Sequence, residues 1–157
     1  MANTYTQIHI QTVFAVKYRS SLLKKEWRAD LFRYMTEVLQ SNGHKMLAIG
    51  GVEDHVHMFF GFRPTETLSD LVRDVKRSST LWINNNHLLL RRFSWQEGFG
   101  AFSYSRNQIR IICNYINSQE EHHRKTTFME EYIKTLEDFG VDYDKRYVFK
   151  DVYSDNL

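Results

Sequence analysis

The run Asp54-His55-Val56-His57-Met58-Phe59-Phe60 limits what this chain can fold into more than any other stretch. It is a β-branched and aromatic segment that reads as a strand, and alternation sends His55, His57 and Phe59 to one face and Val56, Met58 and Phe60 to the other. The second face calls for apolar cover, whereas the first carries two imidazoles one strand repeat apart. Next-nearest residues on a strand lie about 7 Å apart, and imidazole is long enough for both rings to converge on one metal ion from there. Two histidines on a solvated sheet face would show the same spacing, so the pattern leaves both readings open.

The segments around this strand alternate in period. Tyr5 to Tyr18 alternates β-formers with polar residues and is expected to be a long strand. Lys25 to Asn42 carries Trp27, Leu31, Met35, Val38 and Leu39 on one helical stripe and ends at Gly43, a C-cap. Lys45 to Val52 reads as a strand that turns at Glu53-Asp54 into the histidine strand, giving a hairpin. After Arg63-Pro64, Thr67 to about Asn86 is helical with Leu68, Leu71, Val72, Val75 and Trp82 inward, and a fourth strand follows around Phe99 to Ser105. The succession βαββαβ predicts an α+β, ferredoxin-like (RRM-like) antiparallel sheet with both helices on one face. Val56, Met58 and Phe60 then pack under the helices, and His55 and His57 lie on the open face.

That face must be covered or used. Ser105 and Gln108 have the spacing of a capping box, and Arg106 to about His122 carries Ile109, Ile112, Cys113 and Ile116 at helical spacing, so a third helix leaves the sheet. Tyr115 and Gln119 lie one turn apart on it, beside the apolar stripe. Thr127-x-x-Glu130 opens a last helix through Leu136, closed by Gly140, and the tail from Tyr143 is unassigned. The expected organisation is one domain over 1–157, with a core at about 5–105, a tyrosine-bearing helix at about 106–122 and a helix and tail at about 127–157.

Composition narrows the function classes. An aromatic content of 15% over 157 residues supports one globular unit with a real core. The single cysteine, Cys113, excludes an internal disulfide and suits a reducing cytoplasm. There is no signal-like N-terminus and no run of 18 apolar residues, so a soluble cytoplasmic protein without membrane contact is expected. A net charge of +2 does not by itself establish a nucleic-acid partner.

Three segments together carry a family resemblance: Asp54-His55-Val56-His57, then Trp95-Gln96-Glu97-Gly98-Phe99-Gly100-Ala101-Phe102-Ser103, then Asn114-Tyr115-Ile116-Asn117-Ser118-Gln119-Glu120-Glu121-His122-His123. In this order they resemble the single-tyrosine transposases of the HUH superfamily, in the insertion-sequence two-hundred/six-hundred-and-five group, with Phe99 standing where relatives often have Tyr. The resemblance implies cutting and rejoining of single-stranded DNA, at hairpin-containing element ends, through a covalent 5′-phosphotyrosine. It assigns Tyr115 as nucleophile and His55, His57 and Gln119 as ligands of Mg2+ or Mn2+. A divalent ion would relieve the phosphate's charge and orient it for in-line displacement. The ester on tyrosine keeps the bond energy, and no Gly-x-x-x-x-Gly-Lys loop occurs, so no nucleotide cofactor is expected. Relatives are two-fold dimers in which the tyrosine helix of one subunit can complete the metal site of the other, which implies a homodimer and leaves completion in cis or in trans open.

Basic residues mark candidate DNA contacts. Arg73, Lys76 and Arg77 share one helix face and, with Arg91 and Arg92, form the densest basic zone; His122, His123, Arg124 and Lys125 form a second. Trp95, Phe99, Phe102 and Tyr104 are candidates for base stacking, though alternation makes half of them core. The competing classes are a non-catalytic ferredoxin-like RNA- or DNA-binding module and a domesticated HUH endonuclease. A histidine-triad hydrolase would need a third histidine where this chain has Phe59.

Overall fold

The computed structural model describes residues 3–144 and Val148. Strands β1 (His9–Ala15), β2 (Lys45–Gly51), β3 (His55–Gly61) and β4 (Gly100–Tyr104) form one antiparallel sheet in the order β2-β3-β1-β4. Helices α1 (Lys25–Ser41) and α2 (Leu68–Asn85) complete the βαββαβ order, and α3 (Ile109–Asn117), α4 (Gln119–His122) and α5 (Phe128–Asp138) follow. This is the ferredoxin-like α+β plan expected from the periodicities.

Alternation on β3 sorts the two faces as the sequence suggests. Val56, Met58 and Phe60 are fully buried against Leu31, Met35 and Leu39 of α1 and Leu71, Val72, Val75 and Ile83 of α2. Each such side chain contributes roughly 1.5–3 kcal/mol by leaving water, so this layer fixes the register on which everything opposite depends. On the other face, Phe59 packs with Ala48 and Ile116 of α3, and Val13, Ala15 and Phe102 pack with Phe128 and Leu136 of α5. The second face is therefore covered by the C-terminal helices.

Caps fall where the sequence places them. Gly43 follows α1 with φ +96°, Thr67 and Thr127 accept from the amides of Asp70 and Glu130, and Ser105 with Gln108 forms the capping box. Two boundaries differ from expectation. β1 is seven residues rather than the whole of Tyr5 to Tyr18, because its partners set its length: Ala15 pairs with His55, the first residue of β3, and His9 pairs with Gly61, the last. Beyond Ala15 the chain enters a 3-10 turn at Lys17–Arg19, in which Tyr18 and Arg19 take positive φ.

The third helix is also not continuous from Arg106 to His122. A 3-10 turn at Arg106–Gln108 leads into α3, and Ser118, at φ −107° and ψ 22°, separates α3 from α4. α5 runs two residues past Leu136, to Asp138, before Gly140 at φ +64°. Of the tail from Tyr143 to Leu157, only residues 143, 144 and 148 lie within the described part. Among the described residues no helix is long and apolar enough to cross a membrane.

Candidate active site and metal centre

The site lies where β3 meets the three C-terminal helices. Gly50 on β2 pairs with His57, and a Cβ there would stand 2.2 Å from the carbonyl oxygen of Ile116, so glycine is what lets α3 reach the sheet. Ile116 is 1% exposed, and its helix holds Tyr115 over His57, with ring centroids 5.9 Å apart. α4 is tied to α1 by the buried Arg28, which donates to Glu120 Oε1 at 3.0 Å and to the Leu23 carbonyl at 2.9 Å. α5 contributes Phe128, stacked on the His55 ring at 4.1 Å. α3 and α4 are thus anchored away from the cluster, whereas α5 docks directly on one of its rings.

Within this frame the structure brings together His55, His57, Tyr115 and Gln119, and adds His122, His123 and Glu131. His55 Nε2 is 3.1 Å from Gln119 Oε1, and His123 Nε2 is 2.9 Å from the same oxygen. Glu131, 5% exposed, lies at the centre. Its Oε1 is 3.0 Å from His57 Nε2 and 3.7 Å from His55 Nε2. Its Oε2 accepts the Tyr115 hydroxyl and is 3.2 Å from His123 Nε2. His122 Nε2 is 3.0 Å from Oε2 but makes no hydrogen bond. The ligand atoms of His55, His57, His123 and Glu131 all lie within 4.8 Å of one another, so this buried cluster could hold a metal ion.

The outer partners of the imidazoles bear on that fit. His55 Nδ1 is 2.7 Å from Asp54 Oδ1, His123 Nδ1 is 2.8 Å from the Thr126 carbonyl, and His57 Nδ1 is 2.8 Å from the Gln11 amide, itself held by the Tyr104 hydroxyl. All three rings are gripped at Nδ1 and aim Nε2 inward, the orientation that metal-binding histidines adopt when outer groups fix them. The donor set therefore suits a divalent ion.

Burial and Glu131 shape the electrostatics. Burial lowers the pKa of His57, against the opposing pull of Glu131. Burial would raise Glu131, but hydrogen bonds from His123 and His57 and the charge of His57 and His55 bring it well below 4.5. Burial would lower His123, yet its bonds to Glu131 and Thr126 leave it raised. The Tyr115 phenol is pushed up by burial and by the adjacent Glu131 carboxylate. Buried charge without solvent costs several kcal/mol unless it is matched, and here the matching comes from one carboxylate and its ring of imidazoles.

The candidate DNA contacts separate into different places. Arg73, Lys76, Arg77 and Arg92 line one groove of about 580 Å³ over α2, on the sheet face opposite the histidines. Arg91 lines its neighbour with Lys17 and Lys24. Arg73 is exposed and 3.2 Å from Asp70. Lys76 instead donates to the carbonyls of Gln96 and Gly98, and its burial brings it down to about 8, against the pull of Glu97. His122 and His123 turn into the cluster, whereas Arg124 is exposed and paired with Glu121 at 3.0 Å, and Lys125 is exposed. Trp95 and Phe102 are buried, and Phe99 and Tyr104 partly so.

Glu131 is absent from the set the sequence suggests, and His123 appears there only as a basic residue. A signal for His123 exists: Tyr115, Gln119 and His123 recur at i, i+4, i+8. For Glu131 no local pattern was available.

Comparison with known proteins identifies the family. Residues 4–119 match the family described as "Transposase IS200 like". The ISDra2 transposase TnpA of Deinococcus radiodurans is 23% identical over 120 residues, 73% of this chain and 86% of that protein. Among solved structures, a protein described as a transposase from Deinococcus radiodurans R1 superposes with a TM-score of 0.62 at 21% identity, covering 76% of this chain and 95% of that one. A REP-associated tyrosine transposase bound to a REP hairpin gives 0.57 at 17% identity, covering 78% and 73%. His122, His123 and Glu131 lie beyond the matched residues. With most of its length inside the family match, the chain belongs to the IS200-like transposases, the Y1 transposases of the HUH type.

Proposed function

We propose that this DNA transposase cuts and rejoins single-stranded DNA through a covalent bond between Tyr115 and a 5′ phosphate, using Mg2+ or Mn2+ held by His55, His57 and Gln119. The observation that supports this is the convergence of the Tyr115 hydroxyl, the Gln119 amide and both imidazoles in one buried cluster. When bound, the ion supplies positive charge that relieves the scissile phosphate and orients it for in-line attack. Tyr115 Oη forms the new bond to phosphorus as the bond to the 3′ oxygen breaks. Its proton passes to Glu131 Oε2, to which the hydroxyl already donates, and the departing 3′ oxygen takes a proton from water to end as a 3′ hydroxyl. The raised pKa of the phenol means that it stays protonated at rest, so proton loss must accompany bond formation. A 3′ hydroxyl attacking the phosphotyrosine reverses these steps, and the ester's retained bond energy removes any need for a nucleotide cofactor.

The DNA partner in this reading is single-stranded and hairpin-bearing, as the bound REP hairpin of the structural neighbour suggests. Arg73, Arg77, Arg91 and Arg92 then hold phosphates away from the cut, with Lys76 bracing the 96–98 loop beside them, while Arg124 and Lys125 lie on the cluster side. Two strand ends must be processed together in transposition, and a homodimer meets that need.

The test is to incubate purified protein with single-stranded DNA from its flanking locus and Mg2+ or Mn2+, then look for a covalent adduct on a denaturing gel. Wild type is expected to give the adduct, and Tyr115→Phe to lose it while still binding DNA. Full cleavage by Tyr115→Phe, or equal cleavage of duplex and single strand, would overturn the proposal.

A further inference from the structure

The HUH pair and Gln119 leave two buried groups of the cluster without a role as ligands, and those two carry the strongest geometric constraint. His55 Nδ1 faces the Asp54 carboxylate at 2.7 Å, and His123 Nδ1 faces the Thr126 carbonyl at 2.8 Å. Both partners can only accept, so each ring, when neutral, carries its hydrogen on Nδ1 and presents a bare lone pair at Nε2. Those two lone pairs point at Gln119 Oε1, 3.1 and 2.9 Å away, and at the Glu131 carboxylate, 3.7 and 3.2 Å away. With the rings neutral, acceptors therefore face acceptors in a place almost closed to water.

Turning the Gln119 amide relieves only its own contacts and leaves both lone pairs facing the Glu131 carboxylate. Its nitrogen now donates to Glu131 Oε2 at 3.4 Å and to the Tyr115 carbonyl at 3.5 Å, and exchanging the two atoms would set a carbonyl against both. The arrangement is satisfied by a cation at the focus of the lone pairs. His57 can join it. If Gln11 presents its carbonyl to Nδ1, its amide donates to Tyr104, and His57 Nε2 becomes a third bare nitrogen beside Glu131 Oε1.

We propose that His123 and Glu131 are ligands of the same ion as His55 and His57, forming an imidazole-rich centre that selects a first-row transition ion, such as Mn2+ or Co2+, over Mg2+. This rests on the metal site of the proposed function and deepens it. Mg2+ prefers an octahedron of oxygens and keeps several waters, whereas imidazole nitrogen suits the later ions of the row. Glu131 serves both sides of the site: Oε1 faces His55 and His57, and Oε2 holds the Tyr115 hydroxyl. The carboxylate that binds the ion thus also places the phenol relative to it. α5, which carries Glu131, becomes part of the metal centre rather than mere cover.

The experiment titrates the EDTA-stripped full chain with CoCl2, MnCl2 or MgCl2 alone. Equilibrium dialysis gives stoichiometry and Kd, and the visible spectrum reports the Co2+ ligands. The expected result is one ion per chain, with Co2+ bound on the order of 100-fold more tightly than Mg2+. His123→Asn and Glu131→Gln are each expected to weaken Co2+ by about tenfold or more and to change its spectrum. If His123→Asn fails to fold, as judged by its near-UV circular dichroism, Glu131→Gln decides alone, since it keeps the shape of the side chain. Mg2+ bound as tightly as Co2+, or Co2+ affinity and spectrum unchanged in the folded variants, overturns the inference. The double variant His55→Ala with His57→Ala separates the two levels. Co2+ binding lost there but intact in His123→Asn and Glu131→Gln sinks only this inference, whereas binding retained in the double variant sinks the proposed metal site as well.

Discussion

Gly50→Ala gives a sharp test of how the sheet positions the tyrosine, because the added methyl is small and its collision is specific. The new Cβ would lie 2.2 Å from the Ile116 carbonyl oxygen and 3.1 Å from its Cγ2, where ordinary contact begins at 3.4 Å. Gly50 cannot retreat, since it is paired with His57 inside the sheet. α3 must therefore lift by about 1 Å, and packed interiors transmit such a shift rather than absorb it. Overpacking of this kind costs about 1–3 kcal/mol, or a fall in Tm of roughly 5 °C for a chain of this size. Tyr115 precedes Ile116 and moves with it. A displacement of about 1 Å at a reacting group lowers the rate by on the order of 100-fold. The assay pairs a circular-dichroism melt with single-turnover adduct formation on single-stranded DNA. Gly61→Ala serves as control, since a Cβ there meets only the Lys45 carbonyl, at 4.0 Å. Wild-type adduct rate together with a wild-type melt for Gly50→Ala would refute the reasoning.

Arg28→Met removes both the bond to the Leu23 carbonyl and the tie to Glu120, so it should cost about 1–3 kcal/mol, whereas Glu120→Gln, at a half-exposed acid, should cost under about 1 kcal/mol; equal losses in thermal melts would contradict this. In EDTA, the lowered pKa of Glu131 contributes stability above its ordinary 4.5 that is lost as pH falls below it, so the acid side of the stability profile should flatten in Glu131→Gln. His123, raised from 6.5, contributes stability below that value and loses it as pH rises above it, while His57, lowered, gains stability as pH rises towards 6.5, so a stability maximum near 6.5 is expected in pH-dependent melts. Mixing His57→Ala with Tyr115→Phe under verified subunit exchange should restore no cleavage, because one chain already brings Tyr115 over its own His57; recovered activity would show that sites are completed in trans.

The fold was legible because its signals are local or repeat at short range. Strand alternation on β3, the stripes of α1 and α2 and the caps at Gly43, Thr67, Ser105 and Thr127 each act through neighbours within a turn or two, so sequence spacing carries them. The length of β1 was not legible, because Tyr5 to Tyr18 keeps its β-pattern beyond the point where β3 and β4 stop offering partners. Nor was the break at Ser118, where Arg106 to His122 reads as one helix but the chain must bend to keep Gln119 against His55 and Glu120 against Arg28.

The site divides along the same line. His55, His57, Tyr115 and Gln119 stand in short motifs, and those motifs fall within residues 4–119, the segment matched to the family. Glu131 lies outside it, on a helix whose sequence shows only an amphipathic stripe, and it reaches the cluster because Phe128 docks on His55 and Leu136 on the β1–β4 side of the sheet. Its burial makes sense only in three dimensions: a carboxylate at 5% exposure is tolerable where several imidazoles converge on it, and the four that do so lie between 8 and 76 residues away. The motif therefore specifies which groups can do the chemistry, whereas the helix after it determines how dry the site is, how the phenol is held and which ion the nitrogens favour. Two chains with the same HUH and Tyr-x-x-x-Gln residues but different C-terminal helices should then differ in metal preference before they differ in fold.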